Sequence, residues 1–252
     1  MSRLTIYTAI VGDIDTLVQP LVVDSRFDYV CFVRRGSGRQ GVWELREIGE
    51  DIEDDRMLAR YAKLHPCELL PDCEWSLWMD GNLVPRTAAF YDLVADCIEE
   101  GTPLRTFVHP CRDCSYEEAY ACVAAGKESF GTAMKVVRYL EREGFPRHCG
   151  LCETSLLLRS HKDLKVRMLN VLWWQMLQEL SKRDQLSFIY CVRRVGLNWK
   201  PILPAGTNMR SCEYLDYIHH DRRPSRPWLV KKWYDGRRRI EKWLLRRKVD
   251  SI

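Results

Sequence analysis

The run Trp75-Ser76-Leu77-Trp78-Met79 ends in Asp80-Gly81-Asn82. Its mostly apolar character is that of a buried strand. Polar groups that appear where such a strand stops sit where open α/β sheets bind their ligands. Gly81 lets the backbone turn tightly between two oxygen-bearing side chains. Asp80 and Asn82, placed that way, can share one hard cation such as Mg²⁺ or Mn²⁺, and that cation could neutralise a diphosphate. The competing reading is a plain tight turn, because Asp-Gly and Gly-Asn are common turn dipeptides.

A second set of residues could meet the same ligand. Arg56, Arg60 and Lys63 recur at i, i+4 and i+7, one residue round a helix from the apolar stripe Met57, Tyr61 and Leu64. Guanidinium groups bind phosphate oxygens bidentately, so this stripe could line a diphosphate site. The alternative is a solvated face. The acids Glu53, Asp54 and Asp55 cluster in the first turn, so pairing within the helix does not account for Arg60 and Lys63. Thr8, Gly12 and Asp13, where a first strand ends, read either as contacts to a base and ribose or as an ordinary turn. Arg183, Asp184 and Gln185 begin a helix, where polar residues either cap it or point into a cleft.

The elements that must position these groups follow from periodicity. Strands are expected over residues 4–11, 28–33, 75–79, 104–109 and 154–158, with a glycine-rich loop over 34–41. Helices are expected over 51–64 with Asp51 as cap, over 88–100, after a capping box of Ser115 and Glu118, and over 132–143. Two more are expected over 163–180 with Asp163 as cap, and over 186–195. This alternation argues for an α/β fold with a mainly parallel central sheet flanked by helices. There is no GxGxxG fingerprint, no P-loop and no internal repeat.

Composition narrows the class. The chain has 252 residues, 46% of them apolar, with 9 Trp, which suffices for a substantial core. No apolar run is long enough to span a bilayer, and the N-terminus leads straight into a strand pattern without a signal-peptide layout. Eleven scattered cysteines suit buried thiols in a reducing compartment, so a cytoplasmic location is expected. Residues 222–248 hold 12 basic residues, with only Asp235 and Glu241 as acids. That segment carries +10 of a chain whose total is +4, leaving a slightly acidic body. The expected division is therefore a main domain over 1–220 and a basic amphipathic tail over 221–252. Trp228, Trp233 and Trp243 interleave with the tail's cations. This suits either an interfacial helix on anionic lipid, at the inner face of a membrane, or a terminal helix packed on the body.

Several stretches together carry a family resemblance. They are Tyr7-Thr8-Ala9-Ile10 with Gly12 and Asp15, Asp28-Tyr29-Val30-Cys31-Phe32, Ala59-Arg60, and Leu77-Trp78-Met79-Asp80-Gly81-Asn82. To these are added His109-Pro110 with Arg112, Cys114, Tyr116 and Glu118-Ala119, then Gly150-Leu151 with Glu153, and Arg159 with His161. The last are Trp173-Trp174 and Arg183-Asp184-Gln185-Leu186-Ser187-Phe188. Over residues 4–190 the chain resembles the turgor-regulation-defect/mucilage-related glycosyltransferase-like family. The resemblance implies a GT-A-like fold and transfer of a sugar from a nucleotide-diphosphate donor to a glycan or glycolipid. Asp80-Gly81-Asn82 is then similar to the Asp-x-Asp signature of nucleotide-sugar transferases, with Asn in the second acidic place. Asp184-Gln185 is similar to an Asp-Gln of the retaining family-8 glycosyltransferases, in a region that faces sugar and acceptor. On this reading Asp80 binds Mn²⁺ or Mg²⁺ with help from Asn82, and Arg56 and Arg60 stabilise the departing diphosphate. Glu153 and Asp184 contact donor sugar or acceptor hydroxyls, and one of them serves as base if the enzyme inverts. His161, His219 and His220 are candidates for a third ligand, with His220 favoured, although each also reads as a structural or surface histidine.

A rival from another class rests on Cys111-x-x-Cys114 and Cys149-x-x-Cys152. Two such pairs could form a Cys₄ zinc site in a nucleic-acid-binding module. The family resemblance accounts for Cys114 without any metal, so nucleic acid is not the expected partner.

Overall fold

The computed structural model describes residues 3–12, 16–205, 207–218 and 243–247. In chain order the strands and helices begin with β1 (Arg3–Ile10), β2 (Phe27–Val33), β3 (Gly38–Gln40), β4 (Trp43–Glu47), α1 (Asp55–Leu64) and α2 (Pro66–Leu69). Next are β5 (Cys73–Met79), β6 (Leu83–Pro85), α3 (Ala88–Glu99), β7 (Leu104–Val108), α4 (Ser115–Ala124) and α5 (Phe130–Arg142). The series ends with β8 (Cys152–Ser160), α6 (Leu164–Glu179), α7 (Gln185–Arg194), β9 (Lys200–Pro201) and β10 (Leu215–Tyr217).

Eight strands form one sheet in the order β3-β4-β2-β1-β5-β8-β7-β9. Strands β4, β2, β1 and β5 run parallel, and β9 runs parallel to β7. Strand β8 runs antiparallel to both β5 and β7, and β3 antiparallel to β4. The sheet is thus mixed and mostly parallel. Residue alternation divides its core in two. Tyr7 and Trp78 face one side with residues of α1, α4, α5, α6 and α7, while Ile6 and Leu77 face the other with Phe90, Tyr91 and Val94 of α3. Strands β6 and β10 form a separate two-stranded ribbon beside the end of β5.

Several local expectations are corrected. Helix α1 starts four residues later than expected, because Asp54 and not Asp51 accepts from the Met57 amide, at 2.8 Å. The capping box at α4 does not form. Cys114 holds the cap position, and the Glu118 carboxylate goes to Arg112 instead, at 2.6 Å. The presumed loop over 34–41 contains β3, whose three residues are all exposed and so carry no apolar period. Helix α6 keeps its expected cap, with Asp163 accepting from the Lys165 and Val166 amides.

The only described part of the basic tail is helical, at 243–247. Leu245 there is fully buried in the helix-side core, which favours the packed reading for this stretch, although Trp243 and Leu244 remain exposed. No helix among the described residues is long and apolar enough to cross a membrane.

Candidate active site

Strand β5 delivers Asp80 to the carboxyl edge of the sheet. Trp78 and Asp80 stand two residues apart and so share a face, which lets the Trp78 indole N–H donate to Asp80 Oδ1 at 2.8 Å. Lys63 Nζ lies 3.7 Å from the same oxygen. Both contacts fall on Oδ1, and the side chain is still one-third exposed (33%). A carboxylate held through one oxygen and one-third exposed can still take a ligand. Asp80 is followed by a turn that the Leu83 amide closes on the Asp80 carbonyl at 2.9 Å. Gly81 lies close to β1: a Cβ would fall 2.6 Å from Ile10 Cδ1, the free end of that side chain. Asn82 is buried, and its carbonyl accepts from the Ile218 amide at 2.9 Å.

Helix α1 grades its three cations by depth. Arg56 is exposed, Arg60 is largely buried, and Lys63 is fully buried. Lys63, expected at a diphosphate, is instead committed to protein. Its ammonium sits 2.5 Å from Asp184 Oδ2 and 3.4 Å from Thr154 Oγ1, between the rings of Trp78 and Trp173. Arg60 Nη2 is 3.3 Å from the other Asp184 oxygen. Thr154 also donates to Asp184 Oδ2, at 2.9 Å, and the Trp173 indole donates to the Asp184 carbonyl at 3.0 Å. Burial on its own would raise the Asp184 carboxyl. The charges of Arg60 and Lys63 reverse that and hold it far below the usual carboxylate range. Burial pushes the Lys63 ammonium down, against the pull of Asp184 and Asp80. At the start of α7, then, Asp184 makes no side-chain cap and turns inward to this buried pair. Gln185 beside it is half-buried.

The end of α1 is fixed from beneath. Arg159 is fully buried on β8. It donates to the Lys63 carbonyl at 2.7 Å, to Asn170 at 2.9 Å, and to the Tyr7 hydroxyl, which itself donates to the Lys63 carbonyl at 3.1 Å. A cation at the carbonyl end of a helix also complements its dipole. Tyr7, Trp78, Thr154, Arg159 and Trp173 were not singled out as site residues from sequence. Trp78 carried a spacing signal, i, i+2 from Asp80, and Tyr7, Arg159 and Trp173 stood in the stretches of the family resemblance, while Thr154 carried none.

Strand β8 bulges beside this cluster. Thr106 aligns with Leu157 while its neighbour Phe107 aligns with Glu153. The Thr106 hydroxyl bridges the gap, reaching the carbonyls of Glu153 (3.1 Å) and Leu156 (2.7 Å). Bulges next to active sites re-aim side chains. Here Thr154 turns to Asp184, and the Glu153 carboxylate turns to Arg210, at 3.0 Å. A cavity of about 410 Å³ lies against the end of β7, walled by Phe107, His109, Leu203, Pro204 and Asn208. Asp80 and Asp184 do not line it.

The remaining candidates separate. Thr8 is buried with its hydroxyl unpartnered, and it lies near Gly81. Gly12 has φ +72°, and a Cβ there would fall against the Asp55 carboxylate, which pairs with Arg34 at 2.6 Å. Asp13, His219 and His220 lie outside the described residues. His161 is corrected as a metal candidate. It follows β8 at the opposite end of the sheet, where its amide donates to the Glu74 carbonyl and its Nε2 meets the Ser76 hydroxyl at 2.8 Å. The Cys₄ arrangement is also corrected. Among the described residues, Cys111, Cys114, Cys149 and Cys152 do not gather round a common centre. Cys152 is buried at the start of β8, where burial drives its thiol up.

Residues 1–219 match the family described as "TOD1/MUCI70, glycosyltransferase-like domain". No curated protein matches the chain in sequence. Among solved structures, the chain is similar to a protein described as a glycosyltransferase involved in the glycosylation of the major capsid of PBCV-1. The identity is 10% and the TM-score 0.36, over 63% of this chain and 64% of that one, so less than two thirds of that protein is spanned.

Proposed function

This chain belongs to the TOD1/MUCI70 glycosyltransferase-like family, and from that premise we propose that it transfers a sugar from a nucleotide-diphosphate donor to a glycan or glycolipid acceptor. The observation that carries this reading is Asp80. Its carboxylate is anchored through Oδ1 by Trp78 and Lys63 while the side chain stays partly open at the end of a parallel strand.

The oxygen donors there fit a hard divalent cation, Mn²⁺ or Mg²⁺. Asp80 would hold it, with Asn82 beside it. The ribbon of β6 and β10 brings the chain to the Asn82 carbonyl at Ile218, two residues before His220, the proposed third ligand, which lies outside the described residues. When bound, the cation supplies charge neutralisation on the leaving diphosphate.

The chain's own residues divide the remaining work. As the bond from the sugar's anomeric carbon to the diphosphate oxygen breaks, the electron pair leaves with the diphosphate, and Arg60 provides fixed positive charge at the edge of the cluster. The acceptor oxygen forms the new bond to carbon and gives up its proton, to the Glu153 carboxylate if the enzyme inverts and to the departing diphosphate oxygen if it retains configuration. Asp184 is a poor choice of base for that proton, because Arg60 and Lys63 hold it so firmly ionised. It acts instead by holding Lys63 and Arg60 in place, and Gln185, half-buried beside it, is the group that can reach the sugar. Glu153, paired with Arg210, orients the acceptor from the far side of the bulge. Thr8 and Gly12 lie at the end of β1, where a base and ribose would sit. Peripheral attachment at an anionic membrane surface through the basic tail would bring a glycolipid acceptor within reach.

The test is a screen of nucleotide sugars for donor hydrolysis and transfer by the full chain, with Mn²⁺ and with chelator. Metal-stimulated turnover of one donor, lost in Asp80→Ala, supports the reading. Turnover unchanged in Asp80→Ala removes Asp80 from the reaction.

A further inference from the structure

We infer that Cys114, Glu117 and His148 bind a thiophilic divalent metal, zinc by the chemistry of its donors. The site lies apart from the Asp80 cluster and uses only one cysteine of the pairs singled out in the sequence.

Cys114 caps α4, and Glu117 follows three residues later in the first turn, so both donors project from one helix start. His148 comes from the strap between α5 and β8. One donor atom from each residue lies within 4.8 Å of the others. A thiolate, an imidazole and a carboxylate form a donor set suited to zinc, and three protein ligands leave a fourth position for water.

Two features of His148 bear on the site. First, His148 Nδ1 is engaged by the Asp113 carboxylate at 2.7 Å, while Nε2 faces Glu117 Oε1 at 3.7 Å. A carboxylate behind one ring nitrogen fixes the tautomer and presents the other nitrogen, as outer-shell partners do for metal-bound histidines. Second, His148 has φ +49°, the only positive φ of a non-glycine among the described residues. The strap thus adopts a left-handed backbone at the residue that carries the imidazole. The strap is tied to α4 on both sides, by the Tyr116 hydroxyl on the Phe145 carbonyl (2.7 Å) and the Gly150 amide on the Asp113 carbonyl (3.0 Å). A protonated His148 bridging two carboxylates would account for the ion pairs but not for the buried thiol turned toward them. Metal binding would displace the Cys114 thiol proton. Cys149 is otherwise occupied, with its thiol on the Pro146 carbonyl at 3.3 Å. Of the three ligands, Glu117 borders a cavity of about 330 Å³, together with Asp113, His109, Arg112 and Trp199.

The full chain, stripped with chelator, is titrated with Co²⁺ and then Zn²⁺. One thiolate-bound metal per chain is expected, with a near-ultraviolet thiolate-to-cobalt charge-transfer band that zinc abolishes and Cys114→Ser lacks. Zinc affinity should fall at least about tenfold in His148→Ala and about 10–100-fold in Asp113→Asn, while Cys111→Ser and Cys149→Ser leave it unchanged. Absence of the band overturns the site. So does a band that survives His148→Ala, or one lost in Cys111→Ser or Cys149→Ser. If Cys114→Ser does not fold, the exposed His148 and Asp113 variants decide, since neither side chain packs in the core.

Discussion

Lys63 and Asp184, 121 residues apart in the chain, meet as a buried ion pair of 2.5 Å at the carboxyl edge of the sheet. Neither is available to solvent, so each charge depends on the other and on Arg60, Thr154 and Asp80. Breaking such a pair from one side strands a buried charge. Lys63→Met should cost about 3–5 kcal/mol in urea unfolding, and Asp184→Asn a comparable amount. The double variant should cost less than the sum, with a coupling of about 1–3 kcal/mol. Strictly additive losses would mean that the two residues do not act as a unit.

Asp80 allows activity to be tested apart from stability. Asn at position 80 keeps an oxygen for the Trp78 indole, so Asp80→Asn should unfold within about 1 kcal/mol of the parent. Metal-dependent donor turnover should nonetheless fall by on the order of 10²-fold or more, because the neutral amide no longer holds the cation that neutralises the leaving diphosphate. Equal turnover with Mn²⁺ in parent and variant would contradict the proposed role. Retained fold with lost turnover is the expected pattern.

The placement of Asp80 was legible in the sequence because the end of a buried strand is marked by the change from apolar to polar. The helical spacing of Arg60 and Lys63 was legible for a similar reason. What those cations face was not. Spacing gives the stripe on α1 but not the element packed against it, so Lys63 reads as a phosphate ligand until Asp184 arrives from the start of α7. The antiparallel direction of β8 was hidden too, since a strand buried on both faces has the same apolar run in either direction. Strands β3, β6 and β10 have three residues each, too few to establish a period. At α1 three consecutive acids and Asp51 all suit a cap, and only the backbone turn at Asp54 selects one.

The turn at Gly81 is tight on its sheet side. In Gly81→Ala the new methyl would meet Ile10 Cδ1 at 2.6 Å; that carbon is the free end of a half-buried side chain, so the cost should lie at the low end of overpacking, about 1 kcal/mol. Ile10→Val removes the offending carbon. The same Gly81→Ala change made in an Ile10→Val background should therefore cost clearly less in thermal or urea unfolding. An equal cost in both backgrounds would place the strain elsewhere in the turn.

His161 should make stability depend on pH. Burial pushes its imidazole down from 6.5 to about 4, and the neighbouring Arg159 and Arg167 charges act in the same direction. Between those two values the unfolded chain takes up a proton that the folded chain refuses, so stability rises with pH. The contribution is fully present above about 6.5 and is lost as pH falls towards about 4, to a total of about 3 kcal/mol. His161→Gln keeps a side chain able to reach the Ser76 hydroxyl but has no proton to bind. Urea unfolding at a series of pH values should show the parent losing stability more steeply than the variant between pH 6.5 and 4, with the carboxylates and His109 common to both. Parallel curves would mean that His161 is protonated as readily in the folded chain as in the unfolded one.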